Sequence, residues 1–270
     1  MEANLNERRR WNDEYWVSVW PKRERHTDSI TPYLLDALAL RPGERVLDVG
    51  SGGGKTTIAA GRRVAPAGVV VGADLSAPLT ALATRRAADA NVTNVSFRVA
   101  DMQEDSINGA PFDVAMSQLG VMFFDEPTTA FANIRAQLRP GGRIVFACWQ
   151  DPARNPWYLA AALGDFLPPQ PPAAPGKSTP GAFALADADH TRRVLESAGF
   201  TDVQHTPHDF ESEMPLDALV DDGQLAFMGI PPDQIAGARA AVDEHFQQFQ
   251  SESGLYRFPV AFLIFRATAP

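Results

Sequence analysis

The sequence predicts an α/β fold in which a mostly parallel sheet is covered by helices on both faces. Three observations predict it. Short apolar, β-branched runs at 45–49, 68–73, 94–100, 112–117 and 143–149 alternate with helix-patterned segments near 54–64, 77–90 and 127–138, and such alternation builds βαβ units with buried parallel strands. The first run passes straight into four glycines in five positions, Gly50 to Gly54, and then into a helix pattern. Strand, glycine turn and helix in that order make a nucleotide-type site. Finally, acids close three successive runs, Asp48, Asp74 and Asp101, at the carboxyl ends where open parallel sheets hold ligands.

Taken in order, residues 3–26 carry Trp11, Tyr15, Trp16 and Trp20 among many charges. The spacing of four between Trp11 and Tyr15, and between Trp16 and Trp20, gathers them into a stripe on a helix. Two readings stand: an amphipathic helix packed on the domain, or a lid that closes over ligand and excludes water. Arg8-Arg9-Arg10 is diluted by Glu7, Asp13 and Glu14 and reads as a solvated face. A second helix starts at Thr31-Pro32, where proline suits the first turn, and runs through Leu34, Leu35 and Leu38 to Arg41-Pro42-Gly43.

Beyond residue 150 the character changes. Residues 168–176, with five prolines in nine positions, read as an exposed loop or hinge. A helix over 187–198 closed by Gly199, a strand near 201–210, a long helix over 232–250 and a last strand at 260–266 follow. The division expected is a helical N-terminal lid at 1–40, a ligand-binding core at 41–150, and completion of the sheet plus a substrate cap at 151–270, all within one integrated domain.

The net charge of −9 argues against a sequence-independent nucleic-acid binder, which needs a cationic face. The single cysteine, Cys148, excludes an internal disulfide or a cysteine metal cluster within one chain and reads as core packing. No other metal-ligand cluster stands out, so no metal is expected. No apolar run reaches the length of a membrane span and the N-terminus is charged, so the cytoplasm is the expected address.

Spacing decides what the glycine turn holds. A phosphate-binding loop ending at Gly54-Lys55-Thr56 needs glycine at position 49, which is Val49; a GxGxxG fingerprint from Gly50 needs glycine where Lys55 stands. What fits is Asp48-x-Gly50-x-Gly52-x-Gly54. This resembles motif I of the class I S-adenosylmethionine (SAM) methyltransferases. Such a site needs no basic residue at the turn, because SAM carries no phosphate; its glycines let the backbone approach the ligand without a Cβ in the way.

The resemblance extends to Arg139-Pro140-Gly141-Gly142-Arg143 before the fifth strand and, more loosely, to Val194 through Phe200 and Asp202-Val203. It includes quinone C-methyltransferases and bacterial natural-product enzymes. It implies a Rossmann-like seven-stranded sheet with an antiparallel last strand and a small helical cap, and SAM as cofactor. It implies roles as well: Asp48, Gly50, Ser51, Gly52 and Gly54 at the methionine end; Asp74 on the ribose hydroxyls with Leu75 beside the adenine; Asp101 on the adenine amine with Met102 against the ring. Gln118 and Trp16 complete the expected cofactor contacts. Ser117-Gln118-Leu119-Gly120 does not match the Asp/Asn-Pro-Pro-aromatic motif of base methyltransferases, and methylation of nucleic acid is disfavoured.

The acceptor expected is a small apolar or aromatic metabolite, methylated on O or C, with Trp149, Trp157 and Tyr158 lining its pocket. Candidates for a base are His190, His205, His208 and His245, with His190, His208 and Tyr158 retained as catalytic candidates. A homodimer is compatible with the composition. The alternative from another class is a protein of the same fold that binds SAM or its product without methyl transfer, as a ligand binder or cyclase. A nucleotide hydrolase is disfavoured by the glycine spacing.

Overall fold

The computed structural model describes residues 4–168 and 179–270. The proline-rich loop expected at 168–176 therefore lies, but for Pro168, outside the described residues.

Among the described residues seven strands form one sheet, β1 (Arg45–Val49), β2 (Val69–Asp74), β3 (Val95–Val99), β4 (Phe112–Gln118), β5 (Leu138–Trp149), β6 (Thr201–Met214) and β7 (Tyr256–Thr268), in the spatial order β3-β2-β1-β4-β5-β7-β6. Neighbours from β3 through β5 pair in parallel, and β7 runs antiparallel to both β5 and β6. This is the expected Rossmann-like sheet with its antiparallel last strand. The order reverses at β1, which places the switch point, and hence the ligand crevice, between β1 and β4.

The helices follow the expected pattern. The first two, α1 (Leu5–Trp11) and α2 (Glu14–Arg23), precede a 3-10 segment over Glu24–Ile30 and α3 (Thr31–Leu38); α4 (Lys55–Val64), α5 (Ala77–Asp89) and α6 (Pro127–Ala136) are the crossovers. The remainder, α7 (Ala160–Leu163), α8 (Ala188–Ser197), α9 (Leu216–Leu219), α10 (Asp222–Phe227) and α11 (Ile235–Gln247), belong to the second half. Central strands are nearly all apolar, with Val46, Leu47, Val114, Ala115, Met116, Val145, Phe146 and Ala147 essentially inaccessible to water, as a sheet covered on both faces requires.

Three differences from the sequence expectations have local causes. The N-terminal helix is two helices, because the Asp13 side chain accepts from Tyr15 N and Trp16 N and so starts a second helix immediately after the first. The turn expected at Arg139-Pro140-Gly141-Gly142 lies inside β5: Leu138 already pairs with Phe112, and the register resumes at Arg143 opposite Val114. Those four residues bulge out of the ladder, with Gly141 at φ +74°. Finally, β6 and β7 are each longer than their apolar runs, since main-chain pairing continues through the alternating acids Asp209, Glu211 and Glu213 to Met214 opposite Tyr256.

Candidate active site

The glycine turn leaves β1 at the crevice and is fixed by backbone and side chains together. Gly50 N and Ser51 N both donate to Ala73 O of β2, at 2.8 and 3.1 Å. Gly50 sits at φ +69°, and a Cβ there would stand 2.9 Å from the Cα of Gly120, just beyond β4. Ser117 secures the same junction: its hydroxyl donates to Val49 O at 2.7 Å and accepts from Gly120 N at 3.2 Å. Thus the segment from Ser117 to Gly120, where β4 ends, supports the turn.

Asp74, at the end of β2, accepts Gly52 N on one carboxylate oxygen (2.7 Å) and Ser76 N on the other (2.8 Å). It locks the turn to the start of α5 while each oxygen keeps a lone pair for a hydroxyl. Burial pushes its pKa up, and the two backbone donors oppose that shift.

Asp48, in β1 just before the turn, is buried. Its side chain is 1% exposed and accepts the Thr57 hydroxyl at 2.6 Å, tying β1 to α4. Burial raises its pKa to about 7, with the Thr57 hydrogen bond opposing and the nearby Asp74 charge adding. The folded-state value lies above the unfolded one, so between about pH 4 and pH 7 the native state holds the extra proton and stability falls as pH rises. Asp48→Asn is therefore expected to raise the melting temperature at pH 8 relative to wild type and to change it little near pH 4, as read by thermal unfolding across that range.

Asp101, at the end of β3, is 1% exposed and heavily engaged: Oδ1 accepts Asn4 Nδ2 at 2.7 Å and Gln103 N at 3.0 Å, and Oδ2 faces the Arg8 guanidinium at 3.3 Å. Met102 is buried beside it. The Leu75 carbonyl accepts Asn12 Nδ2 at 3.2 Å. The structure thus gathers Asp48, Gly50, Ser51, Gly52, Gly54, Asp74, Leu75, Asp101 and Met102 around the carboxyl ends of β1, β2 and β3.

Two expected contacts are placed elsewhere. Trp16 stacks on Phe227 of α10, with ring centroids 5.6 Å apart, because one helical turn separates it from Trp20, and it is Trp20 whose ring lies where a Cβ on Gly52 would be, 2.7 Å away. The Gln118 carboxamide is taken up by the start of α3, accepting from Thr31 Oγ1 at 2.8 Å and donating to Thr27 O at 3.1 Å.

Of the catalytic candidates, His205 and His208 stand on β6, the edge strand four positions from β1, roughly 19 Å away at the usual strand spacing. His208 stacks on Phe262 and faces Tyr33; burial, the largest influence, lowers its pKa. His190 is in the first turn of α8, its backbone N–H capped by Asp187. His245 meets Pro156 O, and Tyr158 packs edge-on against Phe183. None of them stands at the glycine turn.

Residues outside the expected cofactor contacts also surround the turn. Arg86 of α5 donates to Gly53 O at 2.9 Å and pairs with the buried Glu24 at 2.5 Å. Lys55 turns to Asp28 at 2.9 Å, away from any phosphate-binding position. His26, one residue before the Thr27 whose carbonyl meets Gln118, has its pKa lowered to about 4, by burial first and then by Arg23 and Lys22; at neutral pH its imidazole is uncharged. Only the histidine could have been found from sequence, by its type.

The donor and acceptor set fits SAM. Carboxylates end three adjacent strands, the turn is too close-packed at Gly50 for a side chain, the Arg86 cation at the turn is engaged by Gly53 O and Glu24, and the buried Ser51 Oγ and Trp20 Nε1 beside it lack partners. Residues 46–142 match the model of a methyltransferase domain family. The nocamycin O-methyltransferase of Saccharothrix syringae is 31% identical over 196 residues, 69% of this chain and 70% of that protein. The chain belongs to the class I SAM-dependent methyltransferases. This methyltransferase is also 29% identical over 189 residues to the demethylmenaquinone methyltransferase of Paenarthrobacter aurescens, covering 64% of the chain and 68% of the relative. Its fold matches that of Haemonchus contortus phosphoethanolamine N-methyltransferase 2, solved with SAM, at a TM-score of 0.60 and 16% identity over 97% of this chain and 60% of that one. Among the described residues no helix is long and apolar enough to cross a membrane, and no group of acids, histidines and cysteine is placed to hold a metal ion.

Proposed function

We propose that this methyltransferase methylates an oxygen or carbon of a small apolar or aromatic metabolite. The observation that carries the reading is a run of aromatic rings beyond the carboxyl ends of β4 and β5. Trp149 lies 4.6 Å from Trp157, which packs on Phe183, and Tyr158 joins them. The Gly181 N–H, two residues before Phe183, donates to Met122 O, linking this group to Phe123, against which Trp11 of the N-terminal segment packs edge-on at 5.2 Å. Rings at both ends of the crevice suit a flat apolar acceptor. Relatives named for a nocamycin O-methyl transfer and for aklanonic acid, the latter aligned over 54% of its own length, agree with it. An arsenite methyltransferase also matches, over 43% of its length, but the lone Cys148 here is buried with its thiol pKa raised by burial, so thiolate ligands for a soft metalloid are lacking.

The division of labour follows. Residues 1–40 act as the lid, 41–150 bind the cofactor, and 151–270 complete the sheet and cap the acceptor. Asp74 holds the ribose hydroxyls, Asp101 the adenine amine, and the turn from Gly50 to Gly54 the methionine end. SAM brings a methyl carbon activated by its positive sulfur, so the chain's work is to align an acceptor and exclude water.

Incubation with methyl-labelled SAM and two acceptor sets, phenols and quinols in one and phosphorylated amines in the other, tests this. Label in the phenolic or quinol products is expected. Label confined to the amines would sink the acceptor assignment, and saturable SAM binding with no label in either set would favour the non-transferring, ligand-binding or cyclase alternative.

A further inference from the structure

The N-terminal segment touches the proposed cofactor site at three separate points, and they span its length. Asn4, 1% exposed, donates its amide to Asp101 Oδ1 at 2.7 Å and accepts Asp125 N on its carboxamide oxygen at 2.8 Å, while its own N–H donates to Asp125 Oδ2 at 2.8 Å. Arg8 faces the other Asp101 oxygen at 3.3 Å. Eight residues beyond Asn4, Asn12 bridges Leu75 O and Ala77 N, both at 3.2 Å, and Trp20 covers Gly52. Asp101, Leu75 and Gly52 are the residues assigned above to the adenine and methionine ends.

The chemistry at Asp101 is specific. A primary carboxamide presents an N–H donor beside an acceptor, the same pair that the amine edge of adenine presents. Asn4 and Gln103 N fill both lone pairs of Oδ1 and Arg8 faces Oδ2, so an amine that is to reach Oδ1 of this buried carboxylate must replace Asn4.

We infer that the N-terminal segment is an internal competitor for the cofactor: the Asn4 carboxamide occupies the adenine-amine position on Asp101, and SAM enters by displacing it. This rests on the assignment of Asp101 to the adenine. Because a binding-competent state that is only fractionally populated weakens apparent affinity by that fraction, releasing the segment should tighten binding. The lid of residues 1–40 is on this reading closed before SAM arrives and opens to admit it, whereas a lid that closed only over bound cofactor predicts the reverse.

The test uses the full chain and the demethylated product of SAM as probe. Asn4→Ala should bind it about three- to tenfold more tightly by calorimetry; α1 loses no side-chain cap by this change, since the Asn4 side chain makes none. In wild type, adding the probe should speed amide exchange across residues 5–11. Unchanged or weaker binding by Asn4→Ala, or slower exchange in that helix, would overturn the inference. Asp101→Asn separates the two levels: its binding should fall, and if it falls while Asn4→Ala shows no gain, the competition fails alone. If Asp101→Asn binds as wild type does, the adenine assignment fails and the competition with it.

Discussion

Replacing Asp74 by alanine is expected to weaken binding of the demethylated product of SAM about a hundredfold. The side chain has two tasks that no neighbour duplicates. It holds Gly52 N and Ser76 N, and so shapes both the turn and the start of α5, and under the proposed function its remaining lone pairs take the ribose hydroxyls. A hydrogen bond to a charged group contributes roughly 1.5–3 kcal/mol, so losing the ribose contacts and the turn's alignment together costs about 3 kcal/mol, a factor near one hundred. Asp74→Asn keeps one acceptor oxygen and should fall between the two. Calorimetric titration of all three proteins checks the order; equal affinity for wild type and Asp74→Ala would remove Asp74 from the site.

Gly50→Ala should damage stability and binding together. At φ +69° an alanine carries left-handed strain of about 1–2 kcal/mol, and its Cβ would press on the Gly120 Cα at 2.9 Å, main chain held by Ser117. Overpacking of this kind adds about 1–3 kcal/mol, for a total loss of about 2–5 kcal/mol by denaturant titration. Gly52→Ala is the instructive contrast, because its Cβ meets the ring of Trp20, a side chain on a separate helix that can move aside. It should cost less stability and shift tryptophan emission as Trp20 leaves the turn.

The sheet was legible because its information is local. Each of the first three strands is an apolar run closed by an acid, and the period of the pattern, the glycines and the carboxylates all fall within a few residues of one another. The same locality explains the misplacements. The aromatic stripe in α2 announces a buried face, yet whether Trp16 or Trp20 meets the turn depends on the angle at which Asp13 restarts the helix. Asn4 and Arg8 find Asp101 across 97 and 93 residues of chain, and nothing in their own neighbourhood marks them. Arg86 likewise reads as an ordinary helix cation until Gly53 and Glu24 are brought beside it. The candidate histidines stand out by residue type alone, and type carries no information on placement: the folded chain sets them on an edge strand and two helices of the second half.

The place of β7 bears on how the molecule is made. It is the last strand along the chain but lies inside the sheet, between β5 and β6, so Trp149 faces Phe262 and His208 faces the same residue from the other side. As the polypeptide leaves the ribosome, the first five strands can assemble in parallel, yet β5 keeps a bare hydrogen-bonding edge and β6 has no partner in the sheet until Tyr256–Thr268 arrives. The sheet on the Trp149 side is thus closed by one late segment. A nascent chain halted after β6 would expose an unpaired edge rich in Ile144, Val145 and Phe146, the kind of surface that chaperones must shield, and the sheet is completed only when that final strand slides in.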